Sequence, residues 1–142
     1  MDLTLALLAD YANISQEGKL NVLGVFDVIF APEFPALHTE LHLVLRFEAG
    51  PAERGQTKSI EIKLIDQDGN TLGTLSGKMP LPEESPTLVM GVNQILRFQH
   101  LFFERPGDYR FHVLVNGETK GPGVGFRVVQ LEPPEGGNSE SG

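Results

Sequence analysis

LIDQDGNTLG, residues 64–73, decides between two architectures. Asp66, Asp68 and Asn70 alternate as the early ligands of an EF-hand calcium loop do, and helices flank such a loop. The match stops there. Counted from Asp66, glycine falls at position 4 rather than 6, position 6 is Thr71, and position 12 is Gly77 instead of the bidentate glutamate. Alternating apolar residues flank the stretch on both sides. The segment is therefore predicted to be a hairpin, with Asp68 and Gly69 as a two-residue type I′ turn in which both take positive φ. Residues 60–65 would then pair with residues 71–76.

The same period of two runs through most of the chain. In ELHLVLRFEAG (40–50), Leu41, Leu43, Leu45 and Phe47 oppose His42, Val44, Arg46 and Glu48. In SIEIKLI (59–65), Ile60, Ile62 and Leu64 oppose Glu61 and Lys63. Tyr109, Phe111, Val113 and Val115 oppose Arg110, His112 and Asn116, and Val124, Phe126 and Val128 share one face of the last run. Turn signals separate these runs at Glu17-Gly18, Gly50-Pro51, Asp68-Gly69, Pro106-Gly107 and Asn116-Gly117. Only LVMGVNQIL (88–96) fits either a strand or a short helix. About eight short strands between frequent turns predict an all-β fold, a single-domain antiparallel β-sandwich. RPGDYRFHV (105–113) places Tyr109 after a Pro-Gly turn at the head of a strand, where immunoglobulin-like sandwiches carry a corner tyrosine. An immunoglobulin-like arrangement is expected on that ground.

A chain of 142 residues is one domain. A domain of this size hides roughly 68% of the surface its unfolded chain exposes, so a core can stabilise it without crosslinks. The sandwich is assigned to residues 1–131. Residues 132–142 follow the last large apolar residue, Leu131, and are expected to form a flexible acidic tail.

Composition narrows function. The chain has no cysteine, which removes thiolate nucleophiles, cysteine metal sites and disulfides. MDLTLALLAD places Asp2 where a secretory signal needs positive charge, and no apolar run approaches the ~20 residues of a membrane span. A cytoplasmic protein is expected. With 19 acidic against 11 scattered basic residues, the net charge of −8 argues against nucleic acid and anionic membrane as partners.

Motifs for chemistry fail on their own terms. HTELH (38–42) has the histidine spacing of a zinc protease, but Thr39 stands where the base belongs. In a strand, His38 and His42 would lie roughly 13 Å apart, too far to share one metal. Both are predicted to face solvent, and His100 and His112 to be surface or rim residues. A metal site joining His42, His100 and His112 would need the fold to gather them. GPGVGF (121–126) is not a dinucleotide loop, neither Gly18-Lys19 nor Gly77-Lys78 continues as a P-loop, and no serine sits in G-x-S-x-G. Glu83-Glu84 falls in a loop, and the absence of Trp weakens any case for carbohydrate stacking. No catalytic, metal or cofactor residue is assigned, no cofactor is expected, and the chain is read as non-enzymatic.

Two readings of function remain. VFDVIFAPEF (25–34) and LFF (101–103) are apolar on both faces. Either they are buried on both sides, with Phe34 plugging the end of the core, or they form an interface through Phe26, Val28, Phe30 and Phe34. Asp27 is the only charge between Lys19 and Glu33, so this segment at a sheet edge would pair with a protein partner, a second copy included. The alternative is a small-ligand binder or enzyme whose polar site gathers His42, Arg46, Arg97, Arg110 and His112 on one sheet face.

The stretches Ala6 to Ala12, Gly18 to Asn21, Gly24 to Asp27, Phe34 to Ala36, Asn93 to Leu96, Pro106 to Tyr109 and Asn116 to Glu118 form a recurring set. Together they resemble a family of small bacterial proteins known only as a domain of unknown function. The similarity extends nearly to Leu131. It implies a bacterial cytoplasmic sandwich and assigns no activity or functional residue.

Overall fold

The alternating runs become ten strands in a computed structural model, which describes residues 1–132. The acidic tail expected at 132–142 lies, beyond Glu132, outside the described residues. In chain order the strands are β1 (Asp2–Ile14), β2 (Leu20–Phe26), β3 (Val28–Ala31), β4 (Ala36–Ala49), β5 (Thr57–Asp66), β6 (Thr71–Pro80), β7 (Met90–Phe103), β8 (Gly107–Val115), β9 (Glu118–Thr119) and β10 (Val124–Gln130). The ambiguous segment 88–96 is strand from Met90 onward, where it opens β7. One 3-10 turn, Pro51–Glu53, interrupts the all-β pattern.

These strands form two sheets. The first has the order β2-β1-β4-β7, and the second β3-β10-β8-β5-β6 with β9 added beside β8. Pairing is antiparallel except between β3 and β10, which run parallel. That pair departs from the antiparallel expectation. It arises because the chain crosses at Asp27 from the edge of one sheet to the edge of the other, and the Asp27 carbonyl accepts the Arg127 amide at 2.9 Å.

The core lies between the sheets. Leu41, Leu43, Leu45 and Phe47 of β4 meet Ile60, Ile62 and Leu64 of β5, Tyr109, Phe111 and Val113 of β8, and Phe126 and Val128 of β10. Alternation places every second residue of a strand on one face, so the apolar face read from sequence in each of these strands is the one that closes the core. Phe103, Tyr109, Phe111 and Phe126 form its aromatic centre, with ring centroids 4.9–5.8 Å apart.

The hairpin at 64–73 differs in its turn. Asp68 does not take positive φ; only Gly69 does, at 87°. The Gly69 amide donates to the Asp66 carbonyl at 3.1 Å and the Asp66 amide to the Asn70 carbonyl at 3.0 Å. This is a three-residue loop built on a type I turn and a left-handed glycine. Asp66 Oδ1 accepts the amides of Asp68 and Asn70 at 3.0 and 2.9 Å, which favours this loop over the two-residue turn. A pair with two positive φ values does occur, at Asn116 (51°) and Gly117 (79°), between the paired residues Val115 and Glu118.

On one side of the sandwich the edge strands β2 and β3 follow one another in the chain. On the other, β6 and β7 are, among the described residues, unpaired edges with a cleft between them.

Candidate functional site

The five residues considered as one ligand face divide between two surfaces. His42 and Arg97 are direct cross-strand partners, and Arg46 pairs with Asn93 one inter-row step beyond Val44 and Ile95. These three occupy the outer face of the first sheet. Arg110 and His112 alternate with the buried Tyr109, Phe111 and Val113 on β8, so they occupy the outer face of the second sheet. The core separates the two groups, and a ligand meets at most three of the five at once.

His42 does not face solvent, contrary to the reading from sequence. It is 4% exposed, and its Nδ1–H donates to the Asp10 carbonyl at 3.1 Å. Its Nε2 lies 3.8 Å from Glu40, and the Tyr11 ring packs edge-on at 5.4 Å. The reason is a second apolar cluster on this outer face: Ala9, Ala12 and Val44, with Leu7, Leu20, Val22 and Ile95 against it. The long β1-β2 hairpin contributes most of that cover. His38 is half-buried, beside Phe26.

Around His42, Arg97 Nε lies 3.3 Å from Glu40, which also accepts from Gln99 at 3.4 Å. Arg46 Nη1 donates to Asn93 Oδ1 at 2.9 Å, and its guanidinium lies over Gly91, where any side chain would collide with it. Arg110 similarly lies over Gly125 and donates to the Pro122 carbonyl at 2.9 Å. These arrangements orient the arginines along their own sheets. His100 sits apart again, on the cleft between β6 and β7 with φ of 56°. His42, His100 and His112 therefore occupy three different surfaces. Among the described residues no group of three or more His, Asp or Glu is gathered as a metal ion would need.

Shifted carboxylates mark fixed structure. The amide of Asn70, with its side chain and the Asp68 amide, holds the Asp66 carboxyl below its ordinary range. The Arg127 guanidinium does the same for Asp108, through two bonds of 2.8 and 3.0 Å. For Glu53, burial acts to raise the pKa but is outweighed by bonds from Lys58 at 3.0 Å, the Gly50 amide at 3.0 Å and the Met1 ammonium at 3.3 Å, so it falls to about 2. Each partner locks a loop or strand end.

The expected interface residues divide as well. Phe26 and Phe34 pack against the core, Val28 is half-buried, and Phe30 is 60% exposed. Phe30 begins a run of exposed apolar side chains. Phe30 and Leu37 line one depression beside Pro32 and Pro35. Leu37 pairs across the sheet with Phe102, which is 64% exposed. Phe102 in turn lines the cleft of about 410 Å³ between β6 and β7, together with Leu72 and Leu75 of β6. The two segments apolar on both faces thus each send one side chain to the same band.

Sequence reasoning missed the β6 half of this band. Its signal was the run Gly73, Leu75, Gly77, Met79, the inward face of a strand with glycine at alternate positions.

A family model described as a family of unknown function (DUF6941) matches residues 4–127. Among curated proteins nothing matches the chain. Among the described residues no helix is long and apolar enough to cross a membrane.

Proposed function

The chain belongs to that family of unknown function, and we propose that it is a non-enzymatic protein-interaction module that associates with itself. One observation carries the reading: exposed apolar side chains run continuously from Phe30 through Leu37 and Phe102 to Leu72 and Leu75. Monomeric proteins seldom leave large contiguous apolar patches in water, and such patches mark interaction surfaces. The polar candidates support the same choice, because they are dispersed over two faces and bonded to their own sheets. A reaction would need a nucleophile, a base and a stabilising donor within reach of one reacting atom.

The architecture also reads as immunoglobulin-like. Support comes from the order β10-β8-β5-β6 facing β1-β4-β7, and from Tyr109 at the crossing between sheets. That likeness concerns the fold, and the function rests on the surface. A bacterial cytoplasmic setting belongs to the proposal as well; the lack of cysteine fits a reducing compartment.

The test compares two phenylalanines. Phe102→Asp, on the exposed band, should weaken self-association at least tenfold in sedimentation while leaving the melting temperature nearly unchanged. Phe34→Asp, against the core, should lower the melting temperature instead. Unchanged association in a folded Phe102→Asp protein would remove the band from the interface.

A further inference from the structure

We infer that the partner at the open side is a second copy of the chain, whose β6 pairs antiparallel with β6 about a two-fold axis at Thr74. The inference rests on the interaction-module reading and specifies its geometry.

β6 hydrogen-bonds to β5 along one side, and among the described residues its other side is an edge. An edge presents a row of unpaired N–H and C=O groups, which proteins usually blunt with charge, proline, bulges or a covering segment. In TLGTLSGKMP (71–80) the only charge is Lys78 and the only proline is Pro80, both at the far end. Residues 71–77 are exposed and carry neither.

The inward face of β6 has an unexplained notch. Gly73 pairs with Leu64 and Leu75 with Ile62, so both point toward the core side. A side chain at Gly73 would meet nothing within 4 Å, and its φ lies outside the left-handed region. Neither backbone conformation nor crowding requires glycine there. Glycine within a strand costs stability relative to alanine, because it loses more backbone freedom on folding. Its effect is to hold open the cleft lined by Ile62, Leu64, Phe98 and Leu101. Beside the notch stands Leu75, 40% exposed.

Notch and knob are two residues apart, which makes the strand complementary to itself. In an antiparallel pair about a two-fold axis, directly opposite residues share a face. An axis at Thr74 sets each Leu75 opposite the partner's Gly73 and drops the leucine into the partner's cleft. An axis at Leu75 would set leucine against leucine, and one at Gly73 glycine against glycine. An axis at Ser76 also sets Leu75 opposite a glycine, the partner's Gly77, but brings Lys78 opposite the partner's Thr74.

Charge selects between these two. The Thr74 axis places Lys78 opposite the partner's Asn70, at the hairpin tip where Asp66 and Asp68 outnumber their one cation, Arg105. Among the described residues the Lys78 ammonium has a hydroxyl partner, Ser59 Oγ at 3.2 Å, and no carboxylate. The pairing gives it an acidic neighbour twice over, once in each copy. A two-fold dimer is also the commonest closed solution for a self-complementary patch.

The lack of cysteine makes the register directly testable. In the full chain, Thr74→Cys places two thiols opposite one another on the outer face, within the 4.4–6.8 Å Cα separation a disulfide requires. Mild oxidation should convert most of it to a covalent dimer. Ser76→Cys should not crosslink, because residues 76 of the two copies would lie roughly 13 Å apart. Gly73→Val fills the notch; it should weaken the dimer at least tenfold while holding or raising the melting temperature. Crosslinking through Ser76→Cys, or through neither site in a protein that still sediments as a dimer, overturns the β6 pairing but leaves self-association standing. A monomer at all concentrations overturns both.

Discussion

The Tyr109 hydroxyl donates to the Arg105 carbonyl at 2.6 Å, four residues back along the chain. The bond sits where the chain leaves β7 in one sheet and enters β8 in the other. Tyr109 is buried there between Phe103 and Phe126, and burial pushes its phenol above the ordinary range. Tyr109→Phe keeps the ring packing and orphans the Arg105 carbonyl. The expected cost is about 1–3 kcal/mol in urea unfolding, the range for a buried polar group left without its partner. Unchanged stability would mean that water replaces the hydroxyl freely.

Gly69 has φ of 87° and nothing near its Cα face, so substitution there acts through conformation alone. Gly69→Val should destabilise the chain by about 1–2 kcal/mol, the cost of forcing an L side chain into the left-handed region. A neutral result would contradict a left-handed backbone at residue 69.

Glu53 gives a pH dependence of known sign. Its carboxyl falls from an ordinary 4.5 to about 2 in the folded chain, so the charged form is favoured by folding. Its contribution is present above pH 4.5 and is lost as pH falls through about 2. Denaturation midpoints should therefore drop across that window, and drop less in Glu53→Gln. Identical acid profiles for the two proteins would assign the acid sensitivity to other carboxylates.

The sequence made the inward faces of β4, β5, β8 and β10 legible, because each strand sets a run of apolar residues at every second position against mostly polar ones. Tyr109 was legible for the same reason, since a turn and a strand register place it. His42 was misread because β4 is buried on both faces at its middle, where Val44 is 0% exposed. The cover comes from Ala12, Leu20 and Val22 on the β1-β2 hairpin, a long-range contact that periodicity does not encode. The ligand face was misjudged for a related reason. Period-two alternation fixes which residues share a face of one strand, but not which sheet that strand joins. β4 and β8 carry similar outward polar residues and lie in different sheets. The loop at Asp66 turned on a side chain bonding to nearby amides, which dipeptide preference alone overlooks.

Association with a second copy is tested most directly by sedimentation equilibrium of the full chain at low to high micromolar concentration. A mass approaching twice that of the 15.5 kDa chain, falling toward one chain on dilution, is expected. A mass of 15.5 kDa throughout that range contradicts self-association.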